Sequence, residues 1–192
     1  GVTAVQDGTM TVTGTIKNGV LVDGGVLLLG NDSALDAAST LTVNGGGLAS
    51  DNDARNVGNG VTVGGDFAVT GSNLELSGGI NLGGADRQID VQNTQTTFSG
   101  VVSSGTLTKA GPGTLVLGND NTYTGDTAIN GGTLNISGSV DGDVQLGSGA
   151  TLILSNDNAI DPTKMLSIVG ANGTIAGGGG PRTIGNDIDL LD

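Results

Sequence analysis

The sequence has 192 residues, 38 of them Gly, with two Phe, one Tyr and no Cys, His or Trp. Its formal charge of −13, from six Lys/Arg against nineteen Asp/Glu, repels nucleic acid phosphates and anionic lipid, so no nucleic acid partner is expected. The missing Cys and His exclude disulfides, thiolate sites and the commonest general base and metal ligand, and no apolar run approaches the roughly 18 residues of a membrane span.

From the N-terminus onward, short runs of Val, Ile, Leu and Thr alternate with Gly, Asn and Asp. They include Thr9–Ile16 (TMTVTGTI), Gly60–Thr70 (GVTVGGDFAVT), Gly105–Lys109 (GTLTK), Gly113–Leu117 (GTLVL), Gly132–Ser137 (GTLNIS) and Ala150–Ser155 (ATLILS). Each places an apolar residue at every second position, which is strand periodicity. Apolar residues make up 35% of the chain and there is no G-X-Y period, so neither a disordered nor a collagen chain fits. The best helical candidate, Asn156–Met165, contains Pro162, and little or no helix is expected. Of the acids only Glu75 is Glu; the rest are Asp, a turn former.

Three blocks recur at nearly constant offset. Gly8–Ile16 matches Gly132–Val140, Leu27–Val43 matches Leu152–Ile168, and Ala54–Val63 matches Pro181–Leu190. This predicts residues 1–192 as one continuous segment holding about 1.5 copies of a unit of about 125 residues. With no initiator Met and no signal peptide, the chain reads as cut from something longer. Within the unit, strand pairs recur at about 20 residues, the spacing of one turn of a parallel β-helix. The expected fold is all-β, a solenoid of about nine rungs and on the order of 45 Å long.

Residues 98–137 read FSGVVSSGTLTKAGPGTLVLGNDNTYTGDTAINGGTLNIS. Gly105–Leu117, Asn121–Thr127 and Gly131–Leu134 resemble the autotransporter-associated, or passenger-associated, β-strand repeat of bacterial surface proteins; Asp126 stands where Gly is commoner. The resemblance implies that the β-helix is right-handed. It also implies an extracellular or outer-membrane-surface location and a largely architectural role, often in adhesins, with no catalytic residues to carry over.

Candidate sites are few. The turns Gly30–Ser33, Gly118–Asn121, Ser155–Asn158 and Gly185–Asp187 carry oxygens that suit calcium, but no calcium-loop motif supports a cofactor, and Asn and Asp cap their own turns. Such Asn side chains, stacked in register, would form an internal ladder. The pairs Asp51/Asp53, Asp141/Asp143 and Asp187/Asp189 have a spacing open to glycoside hydrolysis, yet each sits in or beside a Gly/Asn turn, and no enzyme is expected. Arg55, Arg87 and Arg182 each enter a strand at a corner and are expected to pair with a nearby Asp or corner carbonyls. Tyr123 and Lys109 belong to the family motif, with the Tyr123 ring expected over a corner and its hydroxyl in water. The sequons at Asn31, Asn135 and Asn172 are at the frequency chance allows in so Asn-, Ser- and Thr-rich a chain.

No catalytic, cofactor or metal residue is therefore assigned. The expected function is a structural, surface-exposed stalk or filament module whose terminal rungs meet neighbouring repeats of the same chain or another subunit, end to end. A passenger domain binding glycan or a host surface is the alternative, disfavoured by three aromatics in the whole chain; a carbohydrate-active β-helix enzyme comes last.

Overall fold

The computed structural model describes residues 1–191. The strands pair in parallel throughout, and no helix occurs among the described residues. They wind as a solenoid with three flat faces per turn. A seven-stranded sheet forms one face; a 14-stranded sheet forms the other two, because Gly19–Leu29 and Leu41–Ser50 each run across the corner between them.

The first face steps through Val20, Leu41, Val61, Ile80 and Val102. The second steps through Thr9, Val26, Gly47, Ala68, Asp90 and Ala110, and one residue earlier from Lys109 through Ile129, Leu146, Ile168 and Leu190. The third steps through Asn56, Glu75, Thr97, Val116, Asn135, Ile153 and Ala176. The second face is thus crossed ten times at intervals of 17 to 22 residues, one pass more than the nine rungs expected. Between Leu41 and Leu117 each turn also holds three strand segments rather than a pair. The extra one, such as Val61–Val63, Ile80–Asn81 or Val102–Ser103, is too short to show a period in sequence.

Parallel stacking in register puts like above like. Val57, Leu76, Phe98, Leu117, Ile136 and Leu154 form one inward column on the third face, none more than 5% exposed. Each such side chain contributes roughly 1.5–3 kcal/mol by leaving water. Where a strand turns a corner without breaking, the backbone needs a residue without Cβ. Gly46 has φ +70°, and a Cβ there would overlap the carbonyl of Gly25 in the rung below.

Asn156–Met165 is not helical. Ile160 bridges to Val140 of the previous turn, and Asp161 Oδ1 accepts both the backbone N–H and the hydroxyl of Thr163 around Pro162. A self-capped turn therefore displaces the helix.

The recurring sequence blocks do not fall on the same face. Thr9–Val12 is on the second face and Thr133–Ile136 on the third; Val61–Val63 is on the first and Asp187–Leu191 on the second. Six turns after Thr9 the second face stands at Ile129 and its neighbour Asn130, and Thr133 opens the next face. Matched blocks are separated by six turns and one face.

Candidate functional site

An aliphatic solenoid interior has no use for polar groups unless each finds a partner. Several are nonetheless buried between Asn93 and Thr127, and no buried side-chain polar atom among the described residues lacks a hydrogen bond.

Lys109 lies in the strand Thr106–Ala110, between Ile89 of the rung below and Ile129 of the rung above, and is 0% exposed. Its Nζ donates to the carbonyls of Ala110 at 2.8 Å, Gly111 at 2.9 Å and Gly131 at 3.0 Å, so all three ammonium protons are used and two rungs are tied together. Gly111 adopts φ +78°, which turns the chain back over the ammonium. Burial pulls Lys109 down to about 8, against the pull of the Asp90 carboxylate toward the charged form.

Asn121 joins three rungs. Its Oδ1 accepts from the Val102 amide at 2.9 Å, while Nδ2 donates to the carbonyls of Asn119 at 2.8 Å and Ser139 at 2.9 Å. Tyr123 points inward, not into water as the sequence suggested. It is 0% exposed, and its hydroxyl pairs with buried Thr127 Oγ1 at 2.8 Å. A wide gap between the strands Thr114–Leu117 and Thr127–Ile129 gives the ring room to fill the rung interior. Burial holds the Tyr123 hydroxyl well above its ordinary value, partly offset by the bond to Thr127. One turn earlier, Asn93 bonds the Ser72 and Gln95 carbonyls and accepts from buried Thr96.

These geometries belong to the stretch that carries the family motif. Residues 107–136 match the family model described as passenger-associated-transport-repeat. This segment is a passenger-associated-transport repeat. The chain is also similar to the adhesin BmaC autotransporter of Brucella suis biovar 1 (strain 1330), 38% identical over 127 residues. That match covers 62% of this chain but 4% of the relative, so the chain spans a small fraction of that protein's length. No solved structure matches significantly. In the passenger-associated-transport repeat, then, Lys109, Asn121, Tyr123 and Thr127 are internal pins between rungs. Strand alternation places Lys109 inward beside Leu107, a signal present in the sequence; nothing local in sequence announces the inward turn of Tyr123.

The remaining candidates fall around the corners. The guanidinium of Arg55 is bidentate on Asp51, at 2.8 Å from each oxygen, and reaches Asp53 at 3.2 Å. This hydrogen bonding holds Asp51 below and Arg55 above their ordinary values, so Asp51 is committed to the ion pair rather than poised to exchange a proton. Arg87 Nε donates to the carbonyls of Val63 and Leu82, and Arg182 Nη2 to that of Gly178. Asp143 accepts from the amide of Met165 in the next rung, as Asp32 does from Asn56 and Asp66 from Gln88. These short carboxylates extend the ladder past the ends of strands.

The corner asparagines do not stack on one another. Asn31, Asn59, Asn156 and Asn186 each donate Nδ2 to backbone carbonyls of a lower rung, because a bare carbonyl at a corner is the nearest unsatisfied acceptor. Asp141 lines a hollow of about 450 Å³ with Asp120, Asn156, Asn158 and Asp161. Among the described residues, however, no three acidic side chains converge as metal ligands. Asp187 and Asp189 stand exposed on the outermost described strand.

Proposed function

We propose that this chain is a length of rigid solenoid in a bacterial surface or secreted passenger protein of adhesin-like type, and that its role is structural rather than enzymatic. The observation that carries this reading is the unbroken parallel ladder, pinned internally where the passenger-associated-transport repeat lies. The name of the BmaC relative supports the adhesin-like setting and the surface or secreted location. Parallel rungs share backbone hydrogen bonds at every step, so the rod resists bending while the acidic exterior keeps neighbouring rods apart.

The strand Asp187–Leu191 pairs on one side only, with Met165–Val169, and exposes Ile188 and Leu190. An apolar strand edge of this kind is completed by a further rung, supplied by continuing chain or by a second copy stacked end to end. Analytical ultracentrifugation of the 192-residue chain at rising concentration separates these. Concentration-dependent growth abolished by Leu190→Lys supports end-to-end stacking, and a monomer at every concentration leaves continuing chain as the cover. A glycan-binding face is the second reading, favoured by a polar hollow of about 230 Å³ beside Arg55 that Asn73, Glu75, Gln95 and Thr97 line. A glycan array with Glu75→Ala as the control tests it.

A further inference from the structure

The chain has six basic side chains, and five of them sit on or beside paired backbone. Arg55, Arg87 and Lys109 lie within the strands Arg55–Val57, Asp86–Val91 and Thr106–Ala110. Lys17 follows Ile16, whose amide and carbonyl are both bonded to the next turn at Ala34 and Asp36, and it precedes the long strand Gly19–Leu29. Lys164 donates its amide to Asp161, offers its carbonyl to Asn186 Nδ2, and abuts the strand Met165–Val169.

Arg182 differs. It follows four consecutive glycines, Gly177 to Gly180, and Pro181. From Gly179 to Asn186 no backbone-to-backbone hydrogen bond forms among the described residues outside the strands; the last is from the Gly178 amide to the Leu154 carbonyl. The amide of Thr183 is held only by the Asp157 side chain, at 3.4 Å. Residues 179–183 are all exposed, and the Arg182 side chain is tied only by one bond to the Gly178 carbonyl and a long 3.9 Å contact with Asp157.

A serine protease binds several residues of substrate in extended form, so cleavage of a folded chain waits on local opening. Strand-bound basic residues must break a parallel ladder first; this strap has no ladder to break. Pro181 fixes its own φ near the extended range and supplies no amide that would need a partner.

We infer that the Arg182–Thr183 peptide bond is a site of limited proteolysis by an arginine-specific, trypsin-class serine protease, at which the outermost described rung can be detached. The step is hydrolysis. Water adds across the Arg182 carbonyl–Thr183 nitrogen bond, leaving a carboxylate on Arg182 and a new amino terminus at Thr183.

The test is digestion of the folded 192-residue chain with a low ratio of trypsin, followed by intact mass spectrometry and N-terminal sequencing. The expected first product ends at Arg182, appears at least about tenfold faster than any cut elsewhere, and leaves the partner fragment beginning Thr183. Arg182→Gln abolishes that early product. Arg182→Lys retains it with trypsin but loses it with a protease that accepts only Arg, which separates side-chain recognition from any loosening of the strap. First cleavage at Lys17, Lys164 or a strand-bound residue, or equal digestion of Arg182→Gln, overturns the assignment.

Discussion

Replacing Lys109 by Met keeps the length and apolar stem of the side chain and removes only the ammonium. The carbonyls of Ala110, Gly111 and Gly131 then lose their shared donor. A buried acceptor left unpaired costs about 1–3 kcal/mol. Against this, the buried charge itself is expensive. A pKa brought from 10.5 to about 8 corresponds to about 3 kcal/mol of disfavour for the protonated form in the folded state. Three bared carbonyls at a central cost of about 2 kcal/mol each, less the roughly 3 kcal/mol of relieved charge disfavour, put the net loss for Lys109→Met at pH 7 at about 3 kcal/mol. The pH profile is more diagnostic than this balance. Below pH 8 both folded and unfolded chains carry the proton, so the disfavour is fully present. Between about 8 and 10.5 the unfolded chain binds the extra proton, and stability rises with pH. Tyr123 is the only tyrosine and there is no Trp, so intrinsic fluorescence in urea titrations reports the rung next to the pin. Measurements stay at pH 7 to 9.5, below ordinary tyrosine ionisation, where the wild-type gain should reach about 2 kcal/mol. A flat or falling wild-type profile, or an equal rise in Lys109→Met, would refute the buried-ammonium account.

Other outcomes follow from the same interior. Phe98→Ala leaves a void in a column of branched aliphatics and should lower stability by about 3–5 kcal/mol in urea unfolding, whereas Phe98→Leu should cost much less. Tyr123→Phe and Thr127→Val should each cost about 1–2 kcal/mol by leaving one hydroxyl alone, and the double variant should cost less than their sum in a thermodynamic cycle. Asn121→Ala frees the Val102 amide and the Asn119 and Ser139 carbonyls at once; hydrogen exchange at Val102 should quicken by about tenfold or more.

The solenoid was legible because its two signals are local and repeated: alternation along strands, and Gly, Asn or Asp at corners. Column composition followed, since parallel register stacks Val57 on Leu76 and Leu76 on Phe98 without any long-range rule. Arginine pairing was also readable, because Asp51 and Asp53 stand next to Arg55 in sequence. The short first-face strands escaped detection: two residues such as Ile80–Asn81 have no period, and only their neighbours above and below make them strands. The destination of Tyr123 escaped for a related reason. Its partner Thr127 is near in sequence, but the space its ring fills is defined by rungs about 20 residues away. The amide clamps of Asn31 and Asn156 were misread as a stack because sequence shows which residues recur at corners, not that bare carbonyls lie closer to them than other asparagines do.

The offset of six turns and one face between matching blocks has a geometric outcome for any longer rod built from such units. Each copy would advance about 30 Å along the axis and turn a third of the way around it. Whatever a unit displays on one face, its successor displays on the next, so three copies spread the same feature to every side within about 90 Å. A rod with whole-turn repeats would show a single decorated stripe. This one would carry its features as a slow spiral, reachable from any direction of approach.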